Sequence, residues 1–271
     1  MSDSAKRQCS LLLFVATSSE EAALKQVALE MGLTFEKVKD AILGQYGWSE
    51  YHWMGEIGNE TVAAVRPTRE GGGVVMGAHG RLGVAAKAIR FREETAAQAI
   101  VQIGMAFGID PTLQQLGDVI VSSSLIPYDN RTVRPTEGGY INDYSQAIHE
   151  PARPALVNLF LREQKRGQHP FAIHTGSVLS GAARIHSSHF RNELKNGVPP
   201  SDDQIVGGEM EGVGLLAAST NADDPVWCVV KGISDFADEN RDKDIITGKA
   251  VASRNAAKFV LSALVNDRKR D

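Results

Sequence analysis

The runs LLLFVA (11–16), VQIGMAFGID (101–110), GDVIVSSSLI (117–126) and PVWCVV (225–230) are apolar almost residue after residue, not at every second position. A strand with one face in water alternates apolar and polar residues, whereas an unbroken apolar run has both faces covered. Between these runs the period changes. TSSEEAALKQVALEMG (17–32) opens with Ser at the cap and acids in the first turn and closes on Gly32, which predicts a helix. Further helices are expected from about Arg81 to Gln98, in PARPALVNLFLREQK (151–165), in GEMEGVGLLAAS (208–219) and over 246–266. Shorter strands are expected in YHWMGEI (51–57), TVAAVRP (61–67), GGVVMGA (72–78) and FAIHTGSVLSG (171–181). The alternation predicts one α/β domain over residues 1–271, with a central mixed, twisted sheet flanked by helices. Residues 127–150, polar and without regular pattern, read as a long loop whose Tyr128, Tyr140 and Tyr144 suit a lid or a subunit interface.

Composition narrows the partners. A formal net charge of -4 gives no general attraction to nucleic acid polymers or anionic membranes, so a phosphate-bearing ligand needs a local cluster of bases. LLLFVA is too short for a membrane span or a signal sequence, and no later apolar run is longer, so a cytoplasmic protein is expected. Cys9 and Cys228 have no metal-ligand spacing, and His169, His174, His186 and His189 do not pair with a carboxylate on a clear helix; no metal is expected. The glycines of GGGVVMGAHGRLG (71–83) lack the order a dinucleotide fingerprint requires, and no organic cofactor is expected.

GGEMEGVGLLAAS (207–219) sets two glutamates at the mouth of an apolar helix whose buried stripe is expected to be Met210, Val213, Leu216 and Ala217. Residues two apart on a helix point about 200° away from each other, so Glu209 and Glu211 cannot serve one pocket. One is expected to cap the helix; the other is free to grip paired hydroxyls. In covered sheets ligands collect at the carboxyl ends of strands, which directs attention to Glu20, His79, Arg81, the loop 180–185, Glu211, Lys231, Ser234 and Asp235. An acid following VWCVV has its pKa raised by burial and can donate a proton, which suits Asp235.

GGEMEGVG and KGISDFAD, together with GMAFGIDPTLQQLGDVIVSS (104–123), resemble the purine nucleoside phosphorylase and methylthioadenosine/S-adenosylhomocysteine nucleosidase superfamily along nearly the whole chain. The resemblance implies a nucleoside phosphorylase-like fold with a partly closed barrel and no cofactor. It implies that Glu211 holds the ribose hydroxyls, Met210 packs on the sugar, Asp235 acts at purine N7, Glu20 activates water, and Ile185, Arg184 and Ser234 border the base. It also implies a small-molecule purine nucleoside or nucleotide as partner and a homo-oligomer, dimer or hexamer.

Departures from the pattern separate the branches. Where the phosphorylases carry an arginine for phosphate, this chain has Gln102 and Met105, which favours hydrolysis over phosphorolysis. SGAARI (180–185) lacks the usual stacking aromatic and leaves that role to Arg184, and Lys231 replaces the usual arginine. Lys231, Arg81, Arg69 and His79 are candidates for a 5′-phosphate site. The paired motifs most resemble the phosphorylase-like domains of effector and immune-receptor proteins, some of which destroy adenine nucleotides, so ATP and AMP join the expected substrates. A phosphate-using phosphorylase and a catalytically silent nucleotide sensor are the alternatives.

Overall fold

The computed structural model describes residues 8–38, 51–65, 83–219 and 224–267. The strand β1 (Leu11–Val15), buried along its whole length, lies parallel to β4 (Glu60–Val65) on one side and to β5 (Ala99–Gly108) on the other. Next to β5 runs β12 (Trp227–Asp235), parallel to it, and then β6 (Val119–Pro127), antiparallel to β12. Beyond β6 come β10 (Ile173–Ser180) and β11 (Ile205–Glu209), each parallel to its neighbour. The last strand returns to β5 through Gly207↔Gly108 and Gly208↔Phe107, so β5, β12, β6, β10 and β11 close a five-stranded mixed barrel.

Closure depends on small residues. A Cβ at Gly207 would lie 2.4 Å from the Phe107 carbonyl oxygen, and one at Gly208 would lie 2.2 Å from the Phe107 ring. Only the missing side chains let β11 come this close. On the outer side β3 (Tyr51–Ile57) and β2 (Glu36–Val38) extend the sheet past β4. The α/β architecture with a partly closed barrel is the one expected from the sequence.

Helices cover the sheet. They are α1 (Ser18–Glu30), α2 (Val84–Thr95), α3 (Pro154–Arg166), α4 (Ser188–Gly197) and α5 (Arg241–Asn266). The long α5 lies directly on β12, where the backbone of Ala252 rests against Gly232 and the backbone of Ser234 against Gly248. None of the described helices is long and apolar enough to cross a membrane.

Several sequence expectations are corrected. Residues 205–209 form β11, and the helix expected over 208–219 is a 3-10 helix over Gly212–Ala218. Its buried positions include Gly212, Leu215 and Ala218, a spacing of three that matches three residues per turn, whereas Met210, Val213 and Leu216 are half-buried and Ala217 is exposed. The long loop 127–150 contains a hairpin, β7 (Thr132–Thr136) and β8 (Gly139–Asp143), joined by the two-residue turn Glu137–Gly138. The first of these strands is wholly exposed, so no burial alternation betrays it. Tyr128 and Tyr144 are core residues at 0% and 1% exposure, not a lid. The closing helix starts at Arg241, five residues before its expected start at 246. The strand expected over 72–78 and the first residues of the expected helix at Arg81 lie outside the described residues.

The β12–α5 contact is testable. A Cβ added at Gly232 would sit 2.1 Å from the Ala252 carbonyl oxygen and 2.6 Å from its Cα, atoms of a helix backbone that cannot swing aside. Gly232→Ala should lower stability by about 1–3 kcal/mol, the range for overpacking a closed core, read as a shift in urea midpoint with unchanged slope.

Candidate active site

A pocket of about 380 Å³ opens at the carboxyl ends of β1, β5, β11 and β12. Glu20, Glu211, Met210, Asp235, Ser234, Ile185 and Arg184, all singled out in the sequence, line it together.

Glu20 owes its place to the start of α1. Thr17 is the N-cap, its hydroxyl accepting from the Glu20 N–H, while the Glu20 carboxylate reaches back to accept from Thr17 N at 2.7 Å. This is a reciprocal capping box. The same carboxylate accepts from Ala16 N and, with its other oxygen, from Met105 N, both at 2.9 Å. That last contact requires a glycine at 104, where φ is +155° and a Cβ would lie 2.1 Å from Glu20 Oε1. Burial pushes the Glu20 carboxyl above the ordinary value; Lys231 and the backbone N–H groups oppose that rise.

The two glutamates of GGEMEGVG divide their work across a strand end. Glu209 closes β11 and turns inward, accepting from Glu211 N at 2.9 Å and from Gly212 N at 2.8 Å, which satisfies donors at the start of the 3-10 helix. It is the cap. Glu211 faces the pocket, and its carboxylate accepts from Lys231 Nζ at 3.1 Å. The same ammonium lies 3.8 Å from Glu209. Burial alone would lower the pKa of Lys231, but Glu211, Glu20 and Glu209 together hold it above the usual lysine value. Glu209 is raised by burial, with Lys231 opposing.

Lys231 is therefore not the phosphate contact the sequence suggested: its side chain is 0% exposed and its charge is shared among three carboxylates. The other candidates for that role, Arg69, Arg81 and His79, lie outside the described residues.

Asp235 ends β12, one residue past a bulge between Ile233 and Asp235. Its carboxylate accepts from Ser234 Oγ at 2.9 Å and from Ala237 N at 3.0 Å, and Arg241 Nε is 3.4 Å away. Burial raises its pKa, against the pull of Ala237 N–H, Arg241 and Ser234. Across the pocket, Ile185 is buried and Arg184 exposed on the 181–185 loop. Tyr128 supports that loop from below, its hydroxyl donating to the Ala183 carbonyl at 3.3 Å and its ring filling the space beside Gly181.

Sequence reading missed the α5 wall, where Arg241, Ile245 and Lys249 line the pocket. Their spacing of four in RDKDIITGK (241–249) was the available signal, hidden because the helix was expected to begin later. His169 and His174 lie elsewhere and pair with the buried carboxylates of Glu163 at 2.9 Å and Asp118 at 3.0 Å.

Residues 12–265 match the family model of the Phosphorylase superfamily, and the chain belongs to that superfamily. Among solved structures it is similar to the 5′-methylthioadenosine/S-adenosylhomocysteine nucleosidase of Neisseria meningitidis in complex with methylthio-immucillin-A, with a TM-score of 0.70 and 19% identity over 94% of this chain and 98% of that one. It is also similar to futalosine hydrolase of Helicobacter pylori, with a TM-score of 0.70 and 18% identity over 97% of this chain and 98% of that one. At these identities the likeness shows the fold. Among curated proteins, a death domain-containing ATP nucleosidase of Amphimedon queenslandica is 27% identical over 187 residues, 62% of this chain. The match spans 34% of that relative's length.

The buried cluster predicts a pH-dependent defect. Lys231→Met leaves Glu20, Glu209 and Glu211 without their shared ammonium, and breaking a buried charge set of this kind costs about 3–5 kcal/mol. Glu20 and Glu209, whose pKa values burial raises, then hold protons in the folded chain that the unfolded chain has already released, so stability falls as pH rises through those raised values. Urea unfolding should show the full loss at pH 8 and a smaller one at pH 5. Equal losses at both pH values would contradict this account of the cluster.

Proposed function

We propose that this chain is an N-ribosyl hydrolase that cleaves the N-glycosidic bond of an adenine nucleoside or nucleotide, ATP and AMP included. The observation that carries the reading is the convergence in one pocket of carboxyl groups in different surroundings: Glu20 on backbone N–H groups, Glu211 on an ammonium, and Asp235 at the end of a buried strand.

Breaking the bond builds positive charge on the ribose and negative charge on the departing purine. Asp235, whose pKa burial raises above the ordinary aspartate value, donates its proton to purine N7, so that the base leaves neutral. Glu211 accepts from the ribose hydroxyls while Lys231 holds its carboxylate in place, and Met210 packs on the sugar. Glu20 takes the proton of the water that attacks the anomeric carbon; a carboxylate with a raised pKa is a better base than an ordinary one. Ile185 and Arg184 border the base, with Ser234 orienting Asp235.

Hydrolysis is favoured over phosphorolysis by the charge of the floor. Glu20, Glu209 and Glu211 gather there around the single ammonium of Lys231, an arrangement that repels a phosphate dianion and admits water. Gln102 is fully buried and away from the pocket lining, and Met105, which does line it, is uncharged. The name of the Amphimedon relative supports adenine nucleotides as the substrate class, and with it a nucleotide-depleting effector role.

The test is chromatography of free base after incubation with ATP, AMP, adenosine and methylthioadenosine, with and without phosphate. Adenine should appear without phosphate, and Asp235→Asn should slow its release by about 10²–10⁴-fold. The rate should fall on the alkaline side through one ionisation, as Asp235 loses its proton. Strict phosphate dependence would make the chain a phosphorylase, and nucleotide binding without base release would make it a sensor.

A further inference from the structure

The ionisable residues of the pocket are sorted by depth. Four of its five acids, Glu20, Glu209, Glu211 and Asp235, are buried, each at 9% exposure or less. Its bases stand at the rim: Arg184 and Lys249 are exposed and Arg241 is half-buried. An acid floor under a basic rim fits a ligand that inserts a neutral, hydroxyl-rich part and leaves an anionic part outside. A nucleoside has no use for the rim charges; a nucleotide does.

Two of the three bases share one helix face. Arg241, Ile245 and Lys249 follow one another at intervals of four along α5, so they form one stripe about 12 Å long from the first residue to the last. Arg241 lies at the deep end, 3.4 Å from Asp235, with His186 Nε2 also 3.4 Å from its guanidinium. Lys249, two turns on, makes no ion pair with any described residue. Among the described residues the rim has one acid, Asp242, whose side chain is 84% exposed and lies 4.0 Å from Arg241 and 3.6 Å from His186. It faces the deep end of the stripe and leaves Lys249 uncompensated.

We infer that the α5 wall is a subsite for the 5′-phosphates of a nucleotide, with Lys249 as the contact that separates nucleotides from nucleosides. This rests on the hydrolase reading above and assigns its substrate class to particular residues. With the base at Asp235 and the sugar at Glu211, the phosphate chain leaves the acid floor and lies along the stripe toward Lys249. Ile245 supplies an uncharged surface between the two cations.

Lys249 is exposed, so charge reversal there leaves the core intact and isolates the rim. In Lys249→Glu the ratio of kcat/KM for ATP to that for adenosine should fall by about tenfold or more, through KM and not kcat, with Lys249→Gln in between. Inorganic tripolyphosphate should compete with ATP in the parent and lose that effect in Lys249→Glu. An unchanged ratio, or equal inhibition of both proteins by tripolyphosphate, overturns the subsite. Should the parent release adenine from neither substrate, the hydrolase reading fails, and calorimetry with tripolyphosphate and ATP then decides the subsite alone. Weaker binding of both to Lys249→Glu upholds it; equal binding refutes it.

Discussion

One buried ammonium organises this end of the molecule. Lys231 sits on the central strand β12, with Glu211 at 3.1 Å, Glu209 at 3.8 Å and Glu20 close enough to raise its pKa. Each carboxylate comes from a different place in the chain: the first turn of α1, the last residue of β11 and the residue just before the 3-10 helix. None could be buried alone without a large desolvation penalty. Around a shared cation they can be, and each then has a fixed orientation. The cluster thus ties the closing strand of the barrel to the first helix, and the chemistry assigned to the pocket uses groups that already hold the fold together.

Backbone geometry decides what each carboxylate is free to do. Glu209 spends its oxygens on the N–H groups of Glu211 and Gly212, and without it the 3-10 helix would begin on unpaired buried donors. Glu211, two residues later, accepts only from Lys231 among the described contacts and retains lone pairs for a ligand. Gly212 belongs to this arrangement: a Cβ there would lie 2.7 Å from Glu209 Oε1. Glycine beside the motif is a requirement of the capping carboxylate, as Gly104 is of Glu20.

Much of this was legible in the sequence, and the failures share a cause. Unbroken apolar runs marked β1, β5, β6 and β12, and strand ends marked Glu20, Glu211 and Asp235. The division of labour between Glu209 and Glu211 was also legible, although its reason was wrong. They diverge because a strand ends between them, not because a helix rotates them apart. The periodicity argument failed at 205–219 because a glycine-rich strand has no side chains to alternate and a 3-10 helix repeats every three residues. Lys231 was misjudged because charge alone reads as exposure. A lysine within an apolar strand is better read as a demand for buried acids, and GEME supplies two of them.

The hairpin and the start of α5 were missed for the opposite reason. Their residues are polar, and polar sequence carries little burial signal. Yet RDKDIITGK is where the pocket acquires cations outside its acid floor. A site that, as proposed, stabilises a positive ribose and admits an anionic tail works best with the two sets of charges apart, because each would neutralise the other at short range. Depth largely separates them here: the carboxylates are fixed by backbone N–H groups and Lys231 inside the barrel, Arg184 and Lys249 stand exposed at its rim, and Arg241 reaches down to Asp235. A helix lying across the mouth is well suited to that separation, since its first turn reaches the reacting end of the pocket and its third turn reaches solvent. On the proposed reading, the length of α5 beyond its expected start is part of how the fold keeps opposite charges apart along one ligand.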